Sequence, residues 1–315
     1  MVGAEGPDEI PGLKALESEL EIRYPSAGQP LSDNVSGAEI LLCWDFQFSE
    51  FHTAWQSADQ LKWIFWPGAG VDSLLFPELV ESDVVLTNSR GVFDRSMAEY
   101  VLGLIIAFGK GFPETGRLQA ERVWKHRFTE QLLGKEVLIV GVGSIGREIA
   151  RLLKAFGLKV SGVGRRHRED QDFGVIHAGA DLDSRLPAAD FVVVICPSTP
   201  ESRGMFGAAQ FEAMKGSARL INMARGEILK EDALVDALRN GTIAGAALDV
   251  FTEEPLPDSS PLWDMRNVIV SPHMSGDFHE HLDVVAGAFL ENLSRYRCGE
   301  PLLNVVDKRA GFSLE

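Results

Sequence analysis

The chain has 315 residues, of which 45% are hydrophobic and 24% charged, a globular composition that excludes a disordered, collagen-like or disulfide-scaffold protein and suits about two domains. Lys and Arg number 30 against 46 Asp and Glu, and the formal net charge of −16 argues against binding to nucleic acid or anionic membranes. Three widely separated cysteines and the lack of a leader-like or bilayer-spanning apolar run predict a soluble cytoplasmic protein without disulfides.

Short apolar runs bounded by turn residues alternate with helical patterns along the chain, which predicts an α/β fold with parallel sheets. In the first third, strands are expected near Ile40 to Trp44, Lys62 to Trp66 and Asp83 to Thr87. An earlier stretch, Leu13 to Leu20, has a helical pattern. Between Ser96 and Phe108, apolar residues recur at spacings of three and four, which predicts one long helix placed to bridge two domains.

A second series of strands follows this helix. Its six predicted members are Glu136 to Val140, Leu158 to Val163, Phe191 to Ile195, Arg219 to Asn222, Gly245 to Asp249 and Val268 to Val270. Six strands with helical spacers are typical of a complete dinucleotide-binding domain. Beyond them we expect a helix at about Leu282 to Arg295 and an irregular tail from Gly299.

The first strand of this second series leads into a glycine-rich turn with the pattern GxGxxG, and a helical pattern follows the turn. In such a turn the glycines allow a tight bend, a close approach to a pyrophosphate and strand–helix packing, while the helix N-terminus offers N–H groups. This context favours dinucleotide binding over an ordinary glycine turn. The residues assigned to the cofactor here are Gly141, Gly143, Ser144, Ile145 and Gly146.

The residues after the next strand bear on the choice between NAD and NADP. An acidic residue about 20 positions beyond the turn holds the ribose 2′-hydroxyl of NAD, but none occurs between Glu148 and Glu169. Arginines stand there instead, and a guanidinium binds a 2′-phosphate through charge-assisted, bidentate hydrogen bonds. Arg165 and Arg166 therefore favour NADP(H), with NAD(H) as the alternative. The alternative interpretation of these arginines is a solvent-exposed basic loop without a role in cofactor binding, and it applies to Arg168 in particular.

Three later segments each place one ionisable residue just beyond a predicted strand, where ligands bind in doubly wound sheets. These residues are Arg225, Glu254 and His273. Taken singly, each has a simpler interpretation as a surface arginine, a member of an exposed glutamate pair with Glu253, or a histidine at the start of a helix. Their order and context favour a shared catalytic site.

At this point the chain resembles the D-isomer-specific 2-hydroxyacid dehydrogenases, and within them the branch of glyoxylate/hydroxypyruvate reductases. The resemblance extends from about Ala38 to Val306 and rests on five motifs in order. These are Gly68-Ala-Gly-Val-Asp72, the glycine-rich turn, Asn222 to Gly226, Asp249 to Pro255 and Ser271-Pro-His273. It implies two Rossmann-like domains with parallel sheets, the cofactor domain being inserted into a smaller, flavodoxin-like catalytic domain.

The resemblance implies reduction of a 2-keto acid by hydride transfer from a nicotinamide. His273 suits the proton donor, because imidazole titrates near working pH. Glu254 would bond its second ring nitrogen, favouring the imidazolium form and fixing its orientation. Arg225 offers a planar fork for the substrate carboxylate and keto oxygen together.

Further roles follow from the same resemblance. Asp249 is assigned to the nicotinamide carboxamide, although capping the end of its strand is an alternative. The other residues assigned to the cofactor site are Cys196, Ala224, His273 and Gly276. The substrate residues are Arg225, His273, the backbone of Ala69, Gly70 and Val71, and Trp44, for which packing is the alternative. We expect no metal site, because His279 and His281 lie near Asp277 and Glu280 without an evident tetrahedral ligand set.

The predicted domains are a dinucleotide-binding domain of residues 94–280 and a substrate-binding domain of residues 1–93 plus 281–315. The short N-terminus suggests that the smaller domain lacks one strand of the family pattern, and the resemblance implies a homodimer. Three functions remain open. They are NADPH-dependent reduction of a small 2-keto acid, NAD-dependent D-3-phosphoglycerate dehydrogenation, and non-catalytic NAD(P) sensing by a co-regulator of similar fold.

Overall fold

The computed structural model describes residues 6–25, 30–45 and 50–313, and the chain divides into two compact units. Unit 1 comprises Met1–Phe93 and Phe278–Glu315, and unit 2 comprises Asp94–Asp277. Unit 2 is therefore inserted in sequence between two pieces of unit 1, and its last residue is 277, where we expected 280. Each unit contains a parallel sheet with helices, which confirms the predicted α/β class.

The first part of unit 1 forms a three-stranded parallel sheet in the order β1-β2-β3. The strands are β1 (Ile40–Leu42), β2 (Trp63–Trp66) and β3 (Val85–Asn88), and the helices are α1 (Leu31–Val35), α2 (Phe51–Ala54) and α3 (Pro77–Glu81). All three strands lie where the sequence predicts them. Every residue of β2 is buried, which is why this central strand is a continuous apolar run rather than an alternating one.

Residues 6–25 and 30–39 contain no strand before β1. The helical pattern predicted from Leu13 to Leu20 is realised only as a short 3-10 helix, Leu13–Leu16. Leu13 is the one buried residue of that helix, and so few packing contacts do not sustain a longer one.

Unit 2 begins with α4 (Asp94–Lys110), the long helix predicted at this point, and α5 (Phe112–Ala120). Its strands are β4 (Glu136–Val140), β5 (Lys159–Gly164), β6 (Arg168–Asp170), β7 (Gly174–Ala178), β8 (Phe191–Val194), β9 (Arg219–Asn222), β10 (Gly245–Leu248) and β11 (Val268–Val270). Its remaining helices are α6 (Ser144–Ala155), α7 (Leu182–Arg185), α8 (Ala208–Ala213) and α9 (Glu231–Arg239). The strands form one sheet in the order β11-β10-β9-β8-β4-β5-β7-β6.

This sheet has eight strands where the sequence predicted six. The two missed strands, β6 and β7, form a hairpin at the sheet edge, and β6 is the antiparallel member. Charged and polar residues dominate β6, as is usual for an edge strand that faces water on one side. Hydrophobic periodicity therefore offered little signal for the hairpin.

The central strands of the unit 2 sheet determine where a ligand can approach. β4, β8, β9 and β10 run parallel, so their carboxyl ends lie along the same edge. Strand order changes direction at β4, with β5 on one side and β8 on the other. Ligands bind at such a switch point in open α/β sheets, and the glycine-rich turn follows β4 there.

The chain returns to unit 1 with α10 (His281–Cys298), the helix predicted at about Leu282 to Arg295. Phe289 of α10 stacks on Trp63 at a ring-centroid distance of 5.5 Å and helps to cover one face of the small sheet. The tail that we predicted as irregular contains a short hairpin, β12 (Val306–Asp307) and β13 (Phe312–Ser313). None of the helices in the described ranges combines the length and the apolar character needed to cross a bilayer.

Candidate active site

The three predicted catalytic residues all lie in unit 2, beyond the carboxyl ends of three neighbouring strands. Arg225 follows β9, Glu254 follows β10 and His273 follows β11. His273 Nδ1 lies 2.8 Å from Glu254 Oε2, which is hydrogen-bonding distance. The charge of Arg225 acts on the same carboxylate, so the structure brings the three side chains into one site.

The turn that carries Arg225 is held by a buried asparagine. The Asn222 side chain accepts a hydrogen bond from Ala224 N (3.1 Å) and donates one to the Arg225 carbonyl (3.0 Å). Arg225 Nη1 in turn donates to the Ala224 carbonyl at 2.7 Å. Ala224, assigned to the cofactor site, is itself buried. The signal for this role in the sequence is a polar residue at the buried end of an apolar strand.

Gly226 directly follows Arg225 and packs against the segment that carries Glu254. A Cβ at position 226 would lie 1.9 Å from the carbonyl carbon of Phe251 and 2.2 Å from its oxygen. Real side chains do not tolerate such distances, so the two loops pack backbone against backbone only because residue 226 is glycine. The contact therefore sets how far Arg225 and Glu254 are separated.

The Glu254–His273 pair is partly shielded from water, with the two side chains 27% and 29% exposed. Partial burial by itself raises the pKa of Glu254, but hydrogen bonds with His273 and with Phe251 N, together with the charges of His273 and Arg225, lower it overall. Glu254 is therefore an anion at neutral pH. Since a carboxylate only accepts, the hydrogen of the pair lies on Nδ1.

His273 has an uncommon backbone conformation. Its φ is +52°, in the left-handed region that non-glycine residues seldom occupy. The His273 N–H donates to the Asp249 carbonyl at 2.8 Å. Asp249 is fully buried at the end of β10, and its carboxylate accepts hydrogen bonds from the residues around His273. Gly276, also assigned to the cofactor site, lies in the turn directly after this segment.

The glycines of the turn after β4 have different physical roles. Gly141 has a φ of +118°, and a Cβ there would lie 2.5 Å from the Ile195 carbonyl carbon. A Cβ on Gly146 would meet the Gly141 oxygen at 2.1 Å. At Gly143 the φ is −74° and a Cβ would meet nothing within 4 Å. The chain's own packing therefore explains the first and third glycines, and the open space at Gly143 fits the close approach of an external phosphate.

The other cofactor candidates near this turn are also placed by the structure. Ser144 begins α6, and its hydroxyl donates to Asp94 Oδ1 at 3.2 Å. Ile145 is half-buried. The Cys196 backbone lies against the turn, because its nitrogen would be 2.6 Å from a Cβ on Gly141. Burial raises the pKa of the Cys196 thiol to about 11, so the thiol stays protonated and unreactive at neutral pH.

Arg165 and Arg166 are exposed and lie directly beyond β5. In dinucleotide-binding domains this is the position that contacts the ribose of the cofactor. Three acidic residues follow them, Glu169, Asp170 and Asp172, and the last two are paired with other arginines. Asp172 accepts from Arg151 Nε at 2.9 Å and from Arg147 Nη1 at 3.2 Å, and these hydrogen bonds lower its pKa. Asp170 is paired with Arg147 as well. These two carboxylates are therefore bound by Arg147 and Arg151 rather than by the arginines of the exposed turn.

The loop of residues 68–71 in unit 1 has a defined orientation. Three of its carbonyl groups accept hydrogen bonds. The Gly68 carbonyl accepts from Ser89 N at 3.2 Å. The Ala69 carbonyl accepts from Asn88 Nδ2 at 2.6 Å, and the Gly70 carbonyl accepts from Trp66 Nε1 at 2.7 Å. In a planar trans peptide the C=O and the following N–H point in opposite directions. The N–H groups of Ala69, Gly70 and Val71 consequently point away from the donors that hold the loop.

Trp44, which we assigned to the substrate, is half-buried in unit 1. It packs against the apolar cluster that includes Trp63, Phe65 and Phe289. Packing of unit 1 is therefore sufficient to account for an aromatic residue at position 44.

One group of potential metal ligands exists among the described residues, and it is not the one weighed in the sequence. The ligand atoms of His167, His177 and Asp181 lie within 4.8 Å of one another. Burial, and then the charges of Arg185 and His167, lower the pKa of His177. Such positive surroundings oppose a dication, so we assign no metal there. His281 Nδ1 lies 2.7 Å from the Phe278 carbonyl.

Residues 102–275 match the family model described as D-isomer specific 2-hydroxyacid dehydrogenase, NAD binding domain. The chain is 32% identical to a glyoxylate reductase of Korarchaeum cryptofilum over 95% of its own length and 94% of that protein. It is 31% identical to the D-3-phosphoglycerate dehydrogenase of Methanocaldococcus jannaschii over 94% of its length, but over 57% of that longer protein. The NADPH-dependent glyoxylate/hydroxypyruvate reductase of Sinorhizobium meliloti, solved with NADP and sulfate, superposes with a TM-score of 0.81 at 29% identity, covering 97% and 96% of the two chains.

The contact at Gly226 generates a stability prediction. Gly226→Ala should lower the free energy of unfolding by about 1–3 kcal/mol, because a Cβ forces the Phe251 backbone to move. Urea denaturation followed by fluorescence measures the loss. The matched control is Gly103→Ala in α4, where the glycine is exposed and a Cβ meets nothing within 4 Å. That variant should be neutral or stabilised by roughly 0.5–1 kcal/mol, and equal losses in both variants would contradict the packing argument.

Proposed function

The chain belongs to the D-isomer specific 2-hydroxyacid dehydrogenase family, and from this premise we propose that it catalyses NADPH-dependent reduction of a small 2-keto acid of the glyoxylate or hydroxypyruvate type. The family comprises NAD(P)-dependent oxidoreductases that act on CH–OH groups. The observation that carries the proposal is the ionised Glu254 bonded to His273 beside Arg225. This is the acid, its orienting base and the cation that such a reduction requires.

In the proposed reaction, His273 supplies the proton for the carbonyl oxygen from Nε2. Glu254 keeps the imidazole in one orientation and stabilises its protonated form. Arg225 holds the substrate carboxylate and polarises the ketone, because its planar guanidinium donates two parallel hydrogen bonds. The bound nicotinamide supplies the hydride. In the reverse reaction His273 takes the proton back, which requires the neutral imidazole.

Unit 1 contributes a second set of donors in this proposal. The N–H groups of Ala69, Gly70 and Val71 face away from the groups that hold their loop. Successive main-chain N–H groups make a concave anion site without any charged side chain. We therefore assign them to the substrate carboxylate.

The cofactor preference is argued from the turns after β4 and β5. Open space at Gly143 and the N-terminus of α6 fit a pyrophosphate, whichever dinucleotide binds. Exposed Arg165 and Arg166, with Asp172 bound to other arginines, favour a 2′-phosphate. The S. meliloti neighbour is described as NADPH-dependent, which supports the same choice.

The second candidate is D-3-phosphoglycerate dehydrogenation, and the M. jannaschii relative is the observation in its favour. That substrate carries a phosphate and needs further cations in its pocket. The two candidates differ in cofactor and in acceptor, so one assay separates them.

Initial rates of NADPH and NADH oxidation with glyoxylate, hydroxypyruvate, phenylpyruvate and 3-phosphohydroxypyruvate test the proposal. We expect turnover with NADPH on a small unphosphorylated acceptor. Replacing both arginines, Arg165→Ser with Arg166→Ser, should raise the NADPH Kd about tenfold to a hundredfold and spare NADH, since charge-assisted bonds to the 2′-phosphate are lost.

Arg168→Ser is the control for the arginine pair, because it makes the same kind of substitution, with the loss of one positive charge, at a nearby exposed position in β6. It should leave the ratio of NADPH to NADH affinity unchanged. NADH turnover preferring the phosphorylated acceptor would support the phosphoglycerate candidate. Tight dinucleotide binding without turnover on any acceptor would support a nucleotide sensor instead.

The lowered pKa of Glu254 generates a pH prediction. Glu254 stays charged throughout the neutral range and stabilises imidazolium, and its effect is lost only as pH falls through its lowered pKa. Because reduction needs protonated His273, reductive kcat/KM should fall as pH rises. In Glu254→Gln that fall should occur about one pH unit lower. Glu253→Gln removes the neighbouring charge without touching His273 and should keep the wild-type profile, so identical shifts in both variants would refute the pairing.

We also propose that the protein is a homodimer, formed through an apolar surface of unit 2. Trp124 is 100% exposed and Phe128 is 96% exposed, and both lie in the segment after α5. Large exposed aromatic residues close together in sequence are typical of an interaction surface. The family resemblance argues for a second copy of this chain as the partner.

Light scattering after size-exclusion chromatography tests this assembly. The wild type should elute as a dimer, and Trp124→Ser combined with Phe128→Ser should shift it toward the monomer, because the apolar contact is removed. Trp263→Ser changes a half-exposed tryptophan elsewhere in unit 2 and should leave the dimer intact. A wild-type monomer at micromolar concentration would overturn the proposal.

A further inference from the structure

The loop of residues 68–71 is held by the last residues of two neighbouring strands of unit 1. Trp66 ends β2 and Asn88 ends β3, and the two lie opposite each other in the parallel register. Their side chains are 1% and 3% exposed. Trp66 Nε1 donates to the Gly70 carbonyl at 2.7 Å, and Asn88 Nδ2 donates to the Ala69 carbonyl at 2.6 Å. Two buried donors therefore fix two successive peptide groups of the loop.

Asn88 controls one particular N–H group of this loop. The Ala69 carbonyl that accepts from Asn88 belongs to the same planar peptide as the Gly70 N–H, so the two groups point in opposite directions. Turning this peptide over would turn the Gly70 N–H away from a bound anion. A main-chain anion site works only when its N–H groups converge. The Asn88 amide therefore decides whether Gly70 contributes to such a site.

The Asn88 amide is itself oriented by two donors. An amide oxygen only accepts and an amide nitrogen only donates. Asn88 Oδ1 accepts from Arg90 N at 3.3 Å and from the Ser313 hydroxyl at 3.1 Å. With the oxygen on that side, the NH2 group faces the Ala69 carbonyl. Ser313 lies 225 positions further along the chain, so a distant segment contributes to the orientation of the loop.

That segment is the hairpin β12–β13, whose first end is bonded to the same strand as the loop. Asn88 N donates to the Asn304 carbonyl at 3.2 Å, and Asn304 Nδ2 donates to the Arg90 carbonyl at 3.0 Å. The Ser313 hydroxyl lies 3.4 Å from the Asn304 carbonyl, so its contact with Asn88 is the shorter of the two. Residues 304 and 313 thus enclose the end of β3 from the hairpin side.

A half-buried lysine fastens the turn of this hairpin. Lys308 Nζ donates to three main-chain carbonyls, those of Leu79, Ser82 and Val84, at 2.9, 2.6 and 2.8 Å. Hydrogen bonds from a charged donor are stronger than those between neutral groups. The hairpin is therefore a fixed part of unit 1 and can hold Ser313 in place.

We propose that Asn88 is a positioning residue for the substrate carboxylate, and that the hairpin β12–β13 orients it through Ser313. Asn88 acts through the Ala69–Gly70 peptide rather than through contact with the substrate. The inference rests on the proposed function and deepens it, because it names the groups that shape the main-chain anion site. Affinity for the 2-keto acid then depends on the hairpin, whereas dinucleotide binding in unit 2 does not.

Asn88→Asp tests the proposal, because the substitution keeps the shape of the side chain but replaces its donor with an acceptor. The carboxylate would face the Ala69 carbonyl, and the peptide should rotate. We expect the KM for glyoxylate or hydroxypyruvate to rise about tenfold to a hundredfold with kcat nearly unchanged, since a charge-assisted bond to the substrate is lost. The NADPH Kd measured by fluorescence should stay at the wild-type value.

Ser313 provides a test without any change of charge. Ser313→Ala removes the hydroxyl donor and should raise the same KM by roughly threefold to tenfold. Ser313→Thr keeps the hydroxyl and should restore the wild-type KM, which a purely steric role would not require. If Asn88→Asp does not fold, this pair decides the question, and equal KM values in all three proteins would contradict the link.

The matched controls lie elsewhere in unit 1. Asn34→Asp in α1 makes the same substitution as Asn88→Asp, and Ser36→Ala makes the same substitution as Ser313→Ala at an exposed position. Both should keep the wild-type KM. An equal rise of KM in Asn34→Asp would show that added negative charge, and not the loop, is responsible.

Hydrogen exchange measured by mass spectrometry reads the loop without turnover. In the protein without substrate or cofactor, residues 68–74 should exchange about tenfold faster in Asn88→Asp and in Ser313→Ala than in the wild type, because the loop opens more easily. A lower melting temperature with unchanged KM and exchange would make both residues purely structural. A wild type without reductase activity would refute the proposed function, and the exchange rates would still decide whether Ser313 and Asn88 hold the loop.

Discussion

The parallel alignment of β9, β10 and β11 is the constraint on which the candidate site depends. Because these strands run side by side in the same direction, the segments that follow them leave the sheet at one edge. Arg225, Glu254 and His273, which are far apart in sequence, meet there. The final spacing is then set by backbone contacts, in which Gly226 lies on the Phe251 carbonyl and Asp249 holds the segment around His273. Rigid strands and short, tightly bonded loops suit a site that must orient a proton donor.

Charge is distributed unevenly in this acidic protein. The formal net charge is −16, yet the proposed ligand sites expose or concentrate arginines. Arg165 and Arg166 stay exposed beyond β5, whereas Arg147 and Arg151 neutralise Asp170 and Asp172 nearby. At the catalytic pair, by contrast, the anionic Glu254 lies against the imidazole of His273. Local pairing therefore decides what a ligand meets, and the net charge mainly excludes polyanionic partners.

Much of the fold followed from periodicity and turn residues. The long helix α4, the helix α10 and the nine predicted strands all lie where the apolar patterns indicated. The β6–β7 hairpin was missed because an edge strand with polar residues has no apolar period to detect. The tail hairpin was missed because its strands are only two residues long, too short for a period of two to be detected, although Val306 is buried and the Asp307 carboxylate accepts from Arg309 N and Ala310 N. The helical pattern from Leu13 to Leu20 predicted a longer helix than the structure contains, because only Leu13 is buried there.

The sequence by itself determined the class of fold, the family and the residue types that do the chemistry, because these depend on local patterns and on motifs that keep their order. Only the tertiary structure decided which atoms meet. It paired Glu254 rather than Glu253 with His273, engaged the Asp249 carboxylate within its own chain, and packed Trp44 into unit 1. Such outcomes depend on backbone conformation over distances of many residues, as in the left-handed His273 and the close contact at Gly226, and spacing along a chain does not encode them.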